Sequence, residues 1–194
     1  MKLILTRHGE TIENVNKILQ GWNDTNLNKN GIQQAKQLAK RLKDINIDLI
    51  YSSDLKRAFN TAQEISKFHN CPLIKDKRMR EINFGEWNGY KRKELDWDSL
   101  EGKDFTVKRP PKAENYVDVR KRVNEFYKEI KIKHKNKTVL VVGHGGSTLV
   151  LTSIILKKEL KDIKNIKKLE NTAIAKFEIN NKVKTICLNC TKHL

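Results

Sequence analysis

The sequence predicts an α/β fold: three α/β/α layers around a mostly parallel central sheet, with one antiparallel edge strand and a small lid insertion. Three observations carry this. Short apolar runs, Leu3-Ile4-Leu5-Thr6 and Val139-Leu140-Val141-Val142, stop abruptly at glycine-containing polar loops, as strands buried on both faces do. Between such runs, apolar residues recur at helical spacing with Lys, Glu and amide residues on the opposite face. At the far end, two alternating runs flank Asn180-Asn181, the pattern of a hairpin joining the sheet antiparallel.

Composition bounds the reading. With 194 residues, 38% hydrophobic and 32% charged, the chain is long enough for one core and is expected to form a single domain, 1–194. A formal net charge of +17 raises nucleic acid as a partner. Of the 40 basic residues, however, 31 are Lys and 9 Arg, spread along the chain with no nucleic-acid motif. They read as a solvated lysine coat that helps steer an anionic substrate, and a nucleic-acid partner is not expected. The apolar run after Met1-Lys2 is too short for a secretory signal, and nothing approaches the roughly 18 apolar residues that span a bilayer. With the odd number of cysteines, Cys71, Cys187 and Cys190, this makes a cytoplasmic protein with reduced thiols and no membrane partner the expectation. Cys187-x-x-Cys190-x-x-His193 is the one metal-like spacing; a structural zinc site wants four ligands and only distant Cys71 remains, so no metal is expected. The sequence does not fix the oligomeric state, and a homodimer is compatible with it.

Taken in order, the first strand hands over to Arg7-His8-Gly9-Glu10-Thr11, and Gln20-Gly21-Trp22 falls in a loop. Asn28 is placed to cap a helix whose buried positions are Ala35, Leu38, Ala39 and Leu42. Ile47 to Tyr51 reads as the second strand. Ser52-Ser53-Asp54 is then suited to capping the next helix, which has Leu55, Ala58, Phe59, Ala62, Ile65 and Phe68 on one face. Arg57 falls in its first turn, where backbone amides already favour an anion. From Lys75 to Ala113 long periodicity is lost, and residues from about 86 to 115 are expected to form the lid beside the site. A helix with Tyr116, Val119, Val123, Phe126, Tyr127 and Ile130 inward follows. The strand from Val139 and the His144 loop lead into another helix, then a weaker helical pattern at Leu160, Ile163 and Ile166. In open α/β sheets ligands sit at the carboxyl ends of strands. Two strands there each deliver a histidine beside glycine and the first adds an arginine, which points to a phosphate-handling site with His8 as nucleophile.

Arg7-His8-Gly9-Glu10-Thr11 with Asn14 resembles the signature of the histidine phosphatase superfamily, the group that includes the cofactor-dependent phosphoglycerate mutases. Further blocks extend the resemblance along most of the chain: Leu27-Asn28-x-x-Gly31, Ser52-Ser53-Asp54-Leu55-x-Arg57-Ala58-x-x-Thr61-Ala62, and Arg80-Glu81-Ile82-Asn83-Phe84-Gly85-Glu86-Trp87. The family's Gly-Glu-Ser before the third long helix stands here as Ala113-Glu114-Asn115.

The chemistry of a phosphomonoester fits these residues. Arg7 and Arg57 supply permanently charged planar forks for phosphate oxygens. His8 attacks phosphorus through a neutral ring nitrogen, so its other nitrogen needs an acceptor; the resemblance implies the carbonyl of the next residue. Glu81, in a different loop, is by resemblance the acid that protonates the leaving alcohol, with Glu10 and Glu86 as rivals. His144 acts as a donor to the transferring phosphoryl group, Asn14 adds a hydrogen bond, and Gln20, Gly21 and Gly145 complete the phosphate-binding set. Neither a cofactor nor a metal enters this scheme.

The resemblance implies a phosphatase rather than a mutase. Mutases of the family need long insertions to shut out water, whereas this chain is short and carries Ile82-Asn83-Phe84-Gly85 where the mutases have a tyrosine-containing run. A small phosphorylated metabolite is the expected substrate. Length and the block around Glu81 look most like α-ribazole phosphatases or broad-specificity phosphatases, which makes α-ribazole 5′-phosphate the specific expectation. The alternatives are a cofactor-dependent phosphoglycerate mutase and a non-catalytic module binding phosphate or nucleic acid. Trp87, Tyr90, Arg92, Trp97 and Arg109 are the candidates to line the lid, the two tryptophans equally as packing residues.

Overall fold

The computed structural model covers residues 1–194 and places β1 (Lys2–Arg7) inside a six-stranded sheet. β2 (Leu49–Ser52), β3 (Leu73–Lys75) and β4 (Thr138–Gly143) run parallel to it, while β5 (Ile174–Ile179) pairs with it antiparallel and β6 (Val183–Cys190) closes that side as the second arm of a hairpin. The order is β3-β2-β4-β1-β5-β6, so the expected antiparallel edge is this two-strand hairpin. β3 was not legible in the sequence, because three residues are too few to show a period.

Both faces of the sheet are covered, which is why the inner strands carry consecutive apolar residues at their centres, Leu3-Ile4-Leu5 and Val139-Leu140-Val141-Val142. Leu3, Leu5, Val139 and Val141 point to one side, against Val119, Val123 and Phe126 of α4 (Tyr116–Lys133) and Val150 and Leu151 of α5 (Gly145–Ile155). Ile4, Ile50, Leu140 and Val142 point to the other. There they meet Leu38, Ala39 and Leu42 of the helix Lys29–Leu42 and Ala58, Ala62 and Ile65 of the helix Lys56–Ser66. These two helices are numbered α2 and α3, after the single turn α1 (Ile12–Val15).

Asn28 caps α2 as expected, its side chain accepting from Gly31 N at 2.7 Å. The cap expected at Ser52-Ser53-Asp54 is not formed. Leu55 takes the cap position without a side-chain bond, Asp24 instead accepts from Lys56 N at 2.7 Å, and Asp54 is drawn into a two-point ion pair with Arg80. Phe68, expected on the inner face of α3, is 49% exposed beyond the helix end. The weak pattern at 160–166 is a 3-10 helix, Leu160–Asn165.

The segment from about 86 to 115 has no long element. It is held by aromatic contacts: Trp97 meets Trp87 edge-on at 5.1 Å and Phe84 at 6.4 Å, and Phe105 meets Tyr116 at 5.9 Å. Trp87 is therefore a packing residue, and Arg109 turns away to Asp118 on α4. No helix is long and apolar enough to cross a membrane.

Candidate active site

β1 and β4 are adjacent and in register with Arg7 opposite Gly143, so the next residue of each strand, His8 and His144, leaves the sheet at the same point. His8 N extends the ladder by donating to Gly143 O at 3.0 Å, and the two imidazole centroids stand 5.1 Å apart. Both residues are buried, His8 at 2% exposure and His144 at 0%. His8 Nδ1 lies 2.7 Å from Gly9 O and donates to it, leaving Nε2 with a free lone pair, as the resemblance implied. The loop must pass close to α2 to do this. A Cβ on Gly9 would collide with Gly31 O, and one on Gly31 with Glu10 O.

Arg57 is fully buried at the start of α3. Its Nη2 donates to Gly21 O at 2.8 Å and its Nη1 to Asn23 O at 2.8 Å, which fixes the loop after Gln20; Gln20 itself accepts from Thr25 Oγ1 at 2.6 Å. Gly21 thus contributes a carbonyl to Arg57, and its positive φ of 48° suits glycine. Arg57 Nε donates to His144 Nδ1 at 3.2 Å. That bond sets the tautomer: the proton of His144 stands on Nε2, which is buried without any partner. Arg7 leaves a second such donor, its Nε, while Nη1 binds Leu169 O at 3.3 Å. Asn14 Oδ1 is taken up by Thr11 N and by Asn171 Nδ2, both at 3.2 Å, so its amide NH2 is the end that remains for a ligand. Unpaired buried donors of this kind mark a place shaped for an anion.

Glu81 is the carboxylate brought to this place. Its Oε1 accepts from Gly146 N at 2.8 Å in the first turn of α5, beside Gly145. The rivals are engaged elsewhere. Glu10 accepts from Asn28 and Asn30 at the start of α2, and Glu86 pairs with Lys112 at 3.0 Å. A cavity of about 530 Å³ opens beside Glu81 and Gly146, with Trp97, Phe105, Tyr116 and Lys168 in its lining.

Three contributors escaped the sequence reading. Asn171 donates to His8 O at 2.8 Å and orients Asn14; Thr61 Oγ1 accepts from Gly9 N at 3.1 Å. Lys168 crosses Gly145 so closely that a Cβ there would lie 2.9 Å from its Nζ. Nothing separates Lys168 from the other thirty lysines in sequence; its place follows from Arg7, which binds Leu169 O and, through its own carbonyl, Thr172 N. No group of three or more His, Cys, Asp or Glu side chains has the geometry to hold a metal ion.

Burial holds His8 well below the ordinary histidine value, helped by the charges of Arg57 and Arg7; burial, Arg57 and His8 do the same to His144. Unfolded histidines take up protons below about pH 6.5, whereas these two stay neutral when folded, so the unfolded state gains protons and stability falls as pH falls. The contribution is complete above that range. The ligand-free protein should therefore melt at a lower temperature at pH 5 than at pH 7. The doubly substituted His8→Gln, His144→Gln protein should show a visibly flatter profile by calorimetry; an identical slope would refute the assignment.

The chain is similar to known proteins along most of its length. The profile described as histidine phosphatase superfamily (branch 1) matches residues 3–190. Phosphoserine phosphatase 1 of Hydrogenobacter thermophilus is 39% identical over 149 residues, 74% of this chain and 71% of that one. Among solved structures, a mutant phosphoserine phosphatase of Entamoeba histolytica in complex with phosphoserine superposes with a TM-score of 0.85 at 34% identity, covering 100% of this chain and 98% of that one. A mycobacterial glucosyl-3-phosphoglycerate phosphatase complexed with VO3 gives a TM-score of 0.88 at 28% identity over 98% and 99% of the two chains.

Proposed function

The chain belongs to branch 1 of the histidine phosphatase superfamily and is a phosphatase, and on that premise we propose that it hydrolyses a small phosphomonoester whose alcohol carries a carboxylate. The reaction runs through a phosphohistidine. His8 Nε2 attacks phosphorus while the bond to the ester oxygen breaks, and Glu81 gives that oxygen its proton. Water then attacks the phosphohistidine, Glu81 takes its proton, and the P–N bond breaks to free phosphate. Arg7, Arg57, Asn14 and the Nε2–H of His144 bind the three spectator oxygens. The observation that carries the reading is the convergence of a lone pair on His8 Nε2 with buried, unpartnered donors on His144 and Arg7.

The carboxylate is suggested by the relatives' names, phosphoserine and glucosyl-3-phosphoglycerate phosphatases, and by charge. Arg92 lies over the Trp97 ring at 4.4 Å, and with Lys168 it lines the cavity beside Glu81; neither pairs with a carboxylate. None of these relatives is named for α-ribazole 5′-phosphate, so the preferred substrate shifts to a phosphorylated hydroxy or amino acid.

The test is phosphate release in chelator from phosphoserine, 3-phosphoglycerate, α-ribazole 5′-phosphate and p-nitrophenyl phosphate. A carboxylated ester should lead in kcat/KM over p-nitrophenyl phosphate by about tenfold or more, and Lys168→Met should shrink that lead, since a charge-assisted contact contributes about 1.5–3 kcal/mol. A lead for α-ribazole 5′-phosphate would restore the first expectation. Efficient interconversion of the monophosphoglycerates would make the protein a mutase.

A further inference from the structure

Glu81 stands on a loop between two 3-10 turns, Lys77–Met79 and Gly85–Trp87, so the carboxyl is only as well placed as that loop. Arg122, on the second turn of α4, grips it from behind. Its Nη1 donates to Arg78 O at 2.6 Å and Arg80 O at 2.8 Å, its Nη2 to Glu81 O at 2.9 Å and Glu114 Oε2 at 2.9 Å, and its Nε to Glu114 Oε1 at 2.8 Å. All five guanidinium donors are therefore used, three on backbone carbonyls at or before Glu81. Glu114 locks the arginine and reaches past Glu81 as well, its Oε2 accepting from Asn83 N at 2.9 Å and its own N donating to Asn83 O at 2.9 Å. Trp22 Nε1 donates to the same Glu81 carbonyl at 2.9 Å.

A half-buried ion pair of this kind adds little net stability, because desolvating both charges offsets their attraction. Apolar packing would serve the core as well. What a planar five-donor fork provides, and a lysine with three donors cannot, is a fixed spacing between several acceptors at once. Every N–H of the Arg122 fork is turned to Glu114 or to a backbone carbonyl of the Glu81 loop, which leaves it no donor for a ligand. We propose that Arg122, braced by Glu114, is a positioning residue that sets where the Glu81 carboxyl stands relative to the leaving oxygen. This rests on the reading of Glu81 as the proton donor.

The experiment uses leaving-group chemistry, which a merely structural role would not move. A p-nitrophenolate leaves with little help, whereas the alkoxide of phosphoserine needs its proton in the transition state. Arg122→Met should lower kcat/KM for phosphoserine about 100-fold and for p-nitrophenyl phosphate about tenfold or less, so the ratio of the two falls at least tenfold. Glu114→Gln should shift the ratio in the same direction and Arg122→Lys should restore part of it. The ratio is an internal control, since a poorly folded fraction lowers both rates equally; an unchanged ratio in Arg122→Met and Glu114→Gln overturns the proposal. Glu81→Gln is run beside them. If it shifts the ratio and Arg122→Met adds nothing further in the double variant, both readings stand. If Glu81→Gln leaves the ratio unmoved, the proton-donor reading is what has failed, and the proposal falls with it.

Discussion

His8→Ala should abolish turnover, by on the order of 10⁴-fold or more, because removing a covalent nucleophile forces the reaction to use water directly against phosphorus. His144, Arg7 and Arg57 remain, so inorganic phosphate should still bind. Rapid quenching of the native enzyme with a labelled ester should trap a phosphohistidine, stable in alkali and lost in acid, which the variant lacks. Native activity in His8→Ala would sink the mechanism. A native protein that neither turns over nor forms the adduct, yet binds phosphate or nucleic acid as the variant does, would instead be the non-catalytic module.

Arg57→Met should separate activity from stability. Loss of the fork removes one oxyanion ligand and unpins the His144 tautomer, and kcat/KM should fall about 10³-fold. The fold should barely notice. Burial above all brings the Arg57 guanidinium down to about 10, which corresponds to about 3 kcal/mol opposing its charge in the empty site. Removing it relieves that cost but strands the Gly21 carbonyl and releases that of Asn23, together about 2–3 kcal/mol. The two nearly cancel, so the melting temperature should move by no more than a few degrees. A collapse of stability would mean that the arginine is chiefly a brace for the loop 21–25, and unchanged kcat/KM would remove it from the phosphate site.

Much of this protein is legible in order of residues because the signals are local. An apolar run that ends at Arg7-His8-Gly9, a second that ends at His144, an Asn28 cap and the inner stripe of α4 are each written within a few residues, and local backbone preference and burial act at that range. His8, the proposed nucleophile, needs only its neighbour, Gly9, to fix its tautomer. Where the sequence reading slipped, a distant partner had taken the residue. Asp54 caps nothing because Arg80 claims it, and Phe68 lies beyond the end of the helix that was to bury it.

The sequence by itself therefore determined five of the six strands, the long helices, the two histidines at adjoining strand ends and the family resemblance. Only the tertiary structure decided what holds each of the three candidate glutamates and where Lys168 lies. Glu10, Glu81 and Glu86 are chemically the same, and what separates them is a long-range hydrogen bond: Gly146 N and the Arg122 fork hold Glu81 in place, while α2 takes Glu10 and Lys112 takes Glu86. Lys168 is one of 31 lysines until the Arg7 bond to Leu169 brings it across Gly145. Charge selection of this kind is a property of distances in space, and those are set when residues far apart in sequence pack together.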